Sequence, residues 1–278
     1  ALYHAGYDIE FCDVGMDGNM NIKSIGDRQY ALIMPVHYAG QVVDLKPIKE
    51  HARFIIEDAA HAIGAYYKAL PVGLSEYSSG ACYSFYPTKN MTTIEGGVFI
   101  SNNKELTDDV RTLSLHGLGT THVTRYNRSS TSKPLVNYPG FKANMTNVEA
   151  AIGIEQFKRL QIFISIRERI SNIYREELKG RILFLSDNGN DHVHHMVVGL
   201  VANRDLVIEK ARNAGVNLGI HYSPIIPAHP FYTKLTHYKV GDFPIAENIA
   251  NNCISLPLYN DMTEEEVAYV VKVLKGIL

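Results

Sequence analysis

Lys89 is the residue best placed in this sequence for covalent chemistry. It stands in the run Ser84-Phe-Tyr-Pro-Thr-Lys89-Asn90, with Glu95-Gly-Gly97 shortly after. A lysine amine can form a Schiff base with a carbonyl when its pKa is lowered and its position is fixed. The following glycines let the backbone approach a ligand closely. On spacing alone, a solvated surface lysine is the commoner case. Asp58 supplies a chemical partner. It closes the apolar run Phe54-Ile-Ile-Glu-Asp58, where a carboxylate is costly unless partnered. A protonated pyridinium nitrogen, such as that of pyridoxal phosphate, is one such partner; an N-cap role for the chain from Ala59 onward is the other reading. His61 follows about one turn later and could stack on, or hydrogen-bond to, a ring held by that carboxylate, or be a satisfied, partly buried histidine. The Ser84 hydroxyl could bind phosphate, although a serine in a strand commonly has no such task.

These side chains need elements to hold them. Residues 7–14 form a short β-rich run. Tyr30-Ala-Leu-Ile-Met-Pro-Val-His37 is nearly continuous apolar, as expected of a parallel strand buried on both faces. Residues 46–53 read as a short helix, and Phe54-Ile-Ile leads as a strand into Glu57 and Asp58. Residues 82–86 and 97–101 are two further strands, and 104–113 a helix with Leu106, Val110 and Leu113 on one side. Segment 117–139 is polar and irregular, long enough to be functional or mobile. Thr146-x-x-Glu149 is a capping box. It opens a long helix reaching about Leu178, with Val148, Ile152, Phe157, Leu160 and Ile164 at helical spacing. Later come a strand at 196–201, a helix at 204–214 and a Pro- and His-rich loop at 221–230. A second capping box, Thr263-x-x-Glu266, starts a terminal helix that turns Val267, Val270, Val271 and Leu274 inward.

This alternation predicts an α/β fold: a mostly parallel central sheet with helices on both faces, plus a smaller C-terminal α+β domain. Residues 1–160 are expected to form the large domain and 161–278 the small one. In such sheets ligands sit at the carboxyl ends of the strands, where His37, Asp58, His61 and Lys89 fall. The 278 residues are 46% hydrophobic with a net charge of −2, which lacks the basic excess of a nucleic-acid binder. No apolar run is long enough to span a bilayer. Cys12, Cys82 and Cys253 are odd in number and far apart, which fits a reducing cytoplasm rather than a disulfide framework. His192, His194 and His195 cluster, but no carboxylate or cysteine pattern accompanies them, so no metal is expected.

Together these runs resemble the DegT/StrS family of nucleotide-sugar aminotransferases, which have the aspartate-aminotransferase fold (fold type I). Pro35-Val-His-Tyr-Ala-Gly-Gln41 with Asp44-Leu45 is similar to one family segment. Ile56-Glu-Asp-Ala-Ala-His-Ala62 with Gly64 is similar to another, and Ser84–Asn90 through Thr93-x-Glu95-Gly-Gly97 to its lysine signature. Arg111-x-x-x-x-His116-Gly117, Gly140-Phe-Lys-Ala-Asn-Met-Thr146, Ala150-Ala-Ile-Gly153, Gly241-Asp-Phe-Pro244 and Ser255-Leu-Pro257 continue the match in order across essentially the whole chain.

The resemblance implies a pyridoxal 5'-phosphate enzyme that transfers an amino group from an amino acid, glutamate above all, to a nucleotide-linked keto-deoxy sugar for amino-sugar or polysaccharide synthesis. It makes Lys89 the Schiff-base lysine and proton carrier, Asp58 the partner of the ring nitrogen, His61 the residue packed at the ring, and Ser84 a phosphate ligand. Lys142 stands where the family has an asparagine that reaches the neighbouring subunit's phosphate, with Asn144 two residues on. Lysine can serve phosphate as a point charge. A homodimer with shared active sites is implied, and His221 and Tyr222 are candidate substrate contacts, although a structural loop role fits them as well. Related sugar dehydratases carry His in place of the Schiff-base lysine, so Lys89 favours transamination. Dehydration on the same cofactor, or a regulatory, non-catalytic role, are the rival readings. The resemblance also implies about a hundred residues before Ala1, and the opening without Met reads as a chain lacking that segment.

Overall fold

A computed structural model describes residues 1–118, 135–136 and 138–278. The first sheet contains β1 (Tyr30–Ile33), β2 (Ala52–Asp58), β5 (Gly80–Ser84) and β6 (Gly97–Ile100), in the order β1-β2-β5-β6. β1, β2 and β5 run parallel, while β6 returns antiparallel beside β5. Between them lie α1 (Leu45–Lys49) and the small hairpin of β3 (Tyr66–Tyr67) and β4 (Leu70–Pro71). Asp44 caps α1, its carboxylate accepting the Lys46 N–H. The helix is shorter than its sequence pattern indicates, because Ala52 and Arg53 are already in β2.

Two strand expectations need correction. β1 stops at Ile33, and Ala31 is exposed, since β1 is the edge strand of this sheet among the described residues. Beyond it Pro35, which has no N–H to give a ladder, leaves only the isolated pairing of Val36 with Asp58. Residues 7–14 are not a strand: only Val14 pairs, with Met20, across the turn at Gly18.

α2 (Lys104–Ser114) follows β6, capped by Asn103. Most of segment 117–139 lies outside the described residues. α3 (Asn147–Glu177) starts at the expected capping box, with Thr146 Oγ1 accepting the Glu149 N–H and Glu149 accepting the Thr146 N–H. It gives Leu160 to a core built on Leu45, Ile48, Ile55 and Val72. Further along it gives Ile170 and Tyr174 to a second core with Ile254, Val270 and Leu274. Val148 and Phe157, two of the residues at helical spacing, are exposed. The second core lies against an antiparallel sheet of β7 (Leu183–Phe184), β8 (Val197–Leu200) and β9 (Cys253–Leu256). α4 (Arg204–Asn213) and α7 (Glu264–Ile277) pack into this core, while α5 (Pro230–Thr236) and α6 (Pro244–Asn252) lie outside it, α6 giving Ile249 to a third cluster with Ala39 and Cys253. The sequence patterns had not indicated β3, β4, β7, β9, α5 or α6. The inward face of α7 is the expected one: Val267, Val270, Val271 and Leu274 are buried, each worth about 1.5–3 kcal/mol of transfer free energy.

Candidate active site

The chemistry-bearing residues gather at the carboxyl ends of β2 and β5. Asp58 ends β2, and its backbone is fixed on both sides. Its N–H donates to Pro35 O at 2.9 Å, and its carbonyl accepts the His37 N–H at 3.1 Å. Ala59 N–H then donates to Cys82 O at 2.9 Å. The Asp58 side chain caps a turn rather than a helix: Oδ1 accepts the Ala60 N–H at 3.0 Å. Oδ2 accepts no hydrogen bond from the described residues. His37, whose N–H donates to the Asp58 carbonyl, does not itself join the site. It is fully buried and bonded to Glu57 on the other face of β2, because successive strand residues point to opposite faces.

Lys89 lies in the turn after β5. Its N–H donates to Tyr86 O at 3.0 Å, and the loop is closed by Phe85 N–H to Gly96 O at 2.9 Å and Thr93 N–H to Phe85 O at 3.0 Å. Gly97 is required where β6 meets β5, since a Cβ there would stand 2.5 Å from Tyr83 O. The Lys89 amine is half-buried. Burial lowers its pKa below the ordinary lysine value, and the negative charge of Asp58 partly opposes that shift. Ser84 is the last residue of β5, opposite Gly97. Its Oγ accepts the Tyr86 N–H at 3.4 Å.

His61 is 8% exposed, and its Nδ1 is buried with no hydrogen-bond partner among the described residues. Its Nε2 lies 3.4 Å from the Tyr222 hydroxyl. Burial brings its pKa down to about 3, helped by the positive charges of Lys89 and His221, so the ring is neutral at physiological pH. The loop at 221–230 therefore does reach the site. His221 is held by Ser255, whose Oγ lies 2.8 Å from Nδ1, and by the Tyr38 hydroxyl, which donates to its carbonyl. A cavity of about 450 Å³ opens beside Tyr38, His221 and Tyr222, walled by Pro224, Ile225 and Phe243, a size suited to a small ligand.

Lys142 and Asn144 are not brought to this cluster. Lys142 pairs with Leu115, and its ammonium donates to Asn144 Oδ1. Neither shares a hydrogen bond with Lys89, Asp58, His61 or Ser84. Four residues that the sequence reading did not select for the site complete its surroundings: Tyr38, Asn90, Arg167 and His195. Asn90 stood within the lysine run, and His195 within the histidine cluster considered for metal. His192 and His194 instead stack on each other, with ring centroids 4.3 Å apart.

The sequence matches the DegT/DnrJ/EryC1/StrS aminotransferase family over residues 1–275. It is 32% identical to the spore coat polysaccharide biosynthesis protein SpsC of Bacillus subtilis, over all of this chain and 75% of that protein. It is also 32% identical to the UDP-4-amino-4-deoxy-L-arabinose–oxoglutarate aminotransferase of Shewanella sediminis, over 96% of this chain and 74% of that one. Among solved structures, Spr1654 of Streptococcus pneumoniae in its PMP-form superposes with a TM-score of 0.88 at 26% identity, covering 99% of this chain and 77% of that one. The same protein is also known in a PLP-form. The chain belongs to the DegT/DnrJ/EryC1/StrS aminotransferase family, an enzyme of the pyridoxal-phosphate-dependent transferase fold with pyridoxal phosphate as its cofactor.

Proposed function

We propose that this chain transfers an amino group from glutamate to the keto carbon of a nucleotide-linked deoxy sugar, in amino-sugar or polysaccharide synthesis. The names of two relatives support the substrate class: one is a UDP-amino-sugar–oxoglutarate aminotransferase, the other a polysaccharide biosynthesis protein. The observation that carries the reading is the convergence of Lys89, Asp58 and His61 at the ends of β2 and β5.

The donor set fits pyridoxal phosphate. Lys89 offers an amine of lowered pKa, Asp58 an uncommitted Oδ2, Ser84 a hydroxyl, and His61 a neutral ring with an orphaned Nδ1. Bound, the cofactor supplies a carbonyl that accepts the amino group and a ring that delocalises the electrons left on the substrate carbon. Lys89 would hold it covalently and, once free, its amine would carry the proton at the substrate carbon. Asp58 holds a proton on the ring nitrogen through Oδ2. His61 would pack at the ring, its orphaned Nδ1 free to make a hydrogen bond there, and Ser84 would offer its hydroxyl to the phosphate. His221 and Tyr222 border the substrate space.

The reading includes a homodimer with shared sites. Phe141, Val148, Ile154 and Phe157 are exposed at the start of α3, an apolar surface of the kind that marks an interface. Lys142 and Asn144 lie in the same stretch, and in this reading they serve the phosphate of the neighbouring copy. The three cysteines are free thiols, which supports a cytoplasmic setting. Among the described residues no helix is long and apolar enough to cross a membrane.

The test is the first half-reaction. Holoenzyme mixed with glutamate is expected to release one equivalent of 2-oxoglutarate as its visible band changes, and a nucleotide-linked keto sugar is expected to restore the band. Absence of 2-oxoglutarate, with no change in the band, would overturn the reading.

A further inference from the structure

Asn90, the residue after Lys89, is 1% exposed and fixed at both ends of its amide. Its Nδ2 lies 2.7 Å from Val193 O. A carbonyl only accepts, so the amide nitrogen must face it and Oδ1 must face the other way. Oδ1 lies 3.1 Å from His195 Nδ1. An amide oxygen is no donor, so the proton on this contact belongs to His195, which is therefore the Nδ1–H tautomer.

His195 is itself held from several directions. Its N–H donates to Ala39 O at 2.9 Å. Its carbonyl accepts from Arg167 Nη1 at 3.1 Å. Arg167 is 3% exposed, lies on α3, and also donates from Nε to Asn260 Oδ1 at 2.8 Å. The close approach of this segment to the loop at 39–41 requires Gly40, where a Cβ would stand 2.9 Å from Val193 Cγ2 and 3.1 Å from His195 N. The His195 ring packs against His61, with centroids 4.3 Å apart and planes inclined by 32°. One immobilised imidazole thus touches both the residue that follows Lys89 and the ring that stands at the cofactor site.

We propose that His195 is a positioning residue for the transamination: through Nδ1–H to Asn90 it fixes the turn that aims Lys89, and through its ring it backs His61. The proposal rests on Lys89 being the cofactor-binding lysine. Neutrality is part of the role. The groups whose charge reaches His195 are His61, Lys89, Arg167 and His221, all of which disfavour its protonation, after burial as the larger cause. A cation there would add repulsion beside Lys89 and break nothing in favour of it. A loosened turn, by contrast, admits water to the Lys89 amine and returns its pKa toward the ordinary value.

Two variants and their combination test this. His195→Phe keeps a flat ring against His61 and removes the N–H. Asn90→Ala removes the acceptor. The readouts are the pH dependence of cofactor capture by Lys89 in the apoprotein, the Kd for pyridoxal phosphate, and kcat with KM for the holoenzyme. Each single variant is expected to raise the pH midpoint of capture, to weaken cofactor binding, and to lower kcat by about tenfold or more with little change in KM. The double variant is expected to go no further than Asn90→Ala, which also loses the contact to Val193 O, because both singles break the His195–Asn90 contact. His195→Gln, which can still donate to Asn90, is expected to recover the capture midpoint but not the full kcat. If the folded variants keep the wild-type midpoint and kcat and lose only thermal stability, His195 is merely structural and the proposal is wrong. If wild-type protein captures no cofactor on Lys89, it is the underlying assignment of Lys89 that fails.

Discussion

His37 and Glu57 meet at 2.7 Å between Nε2 and Oε2, with both side chains fully buried. The Val43 N–H donates to His37 Nδ1 at 3.0 Å, so Nε2 carries the ring proton and donates it to the carboxylate. Glu57 Oε1 has no partner among the described residues. Two adjacent carboxylates of β2 thus take opposite tasks: Glu57 enters the core, and Asp58 faces the site. Removing the donor by His37→Ala strands a buried carboxylate and is expected to cost about 3–5 kcal/mol. Glu57→Gln keeps an oxygen for the same N–H and is expected to cost about 1 kcal/mol. Urea unfolding of the two variants checks the order; equal costs would contradict it.

Asp58→Asn separates folding from chemistry. The amide oxygen can still accept the Ala60 N–H, so the unfolding midpoint is expected to stay near wild type. The charge proposed to hold the ring proton is lost, however. A hydrogen bond between charged groups is worth about 1.5–3 kcal/mol, so transamination is expected to slow by about ten- to a hundredfold. Stopped-flow rates of the glutamate half-reaction measure this, and an unchanged rate would remove Asp58 from the proposed role.

The buried histidines set a pH limit. The folded-state pKa of His61 is about 3, against an ordinary value of 6.5, and burial lowers that of His195 as well. Below about pH 6.5 the unfolded chain binds protons that the folded state excludes. Stability is therefore full above pH 6.5 and falls as the pH drops toward 3. At pH 5 the loss from His61 is on the order of 2 kcal/mol. Unfolding midpoints at pH 7.5 and pH 5 are expected to differ less in His61→Asn than in wild type. An equal difference would show that His61 is not a source of the acid sensitivity.

Thr263 offers a control far from the chemistry. Its Oγ1 accepts the Glu266 N–H at 3.2 Å, and Glu266 accepts the Thr263 N–H at 2.8 Å. Thr263→Ala is expected to cost about 1 kcal/mol in stability with kcat unchanged. A changed kcat would mean that the end of α7 is coupled to the site.

What the sequence made legible was mostly local. The candidates Lys89, Asp58, Ser84 and His61 lie in short runs at strand ends, and the resemblance of those runs to the family, rather than their spacing, singled them out. Both capping boxes are complete within four residues, so the starts of α3 and α7 were legible too. Contacts between distant segments were not. His195 reaches Asn90 across 105 positions, and Tyr222 reaches His61 across 161; neither leaves a periodicity. The short strands β7 and β9 carry too few residues to show alternation. β1 read as doubly buried because its apolar run records composition, not the number of neighbouring strands. Pro35, visible in the sequence, was the signal that its ladder ends early.

The central claim is that Lys89 holds the cofactor, and it can be tested by chemistry on that residue alone. Holoenzyme treated with borohydride, digested and analysed by mass spectrometry is expected to show one phosphopyridoxyl group, on the peptide containing Lys89, and none in Lys89→Ala. A label on another lysine, or wild-type protein left unlabelled after saturation with pyridoxal phosphate, would contradict the account.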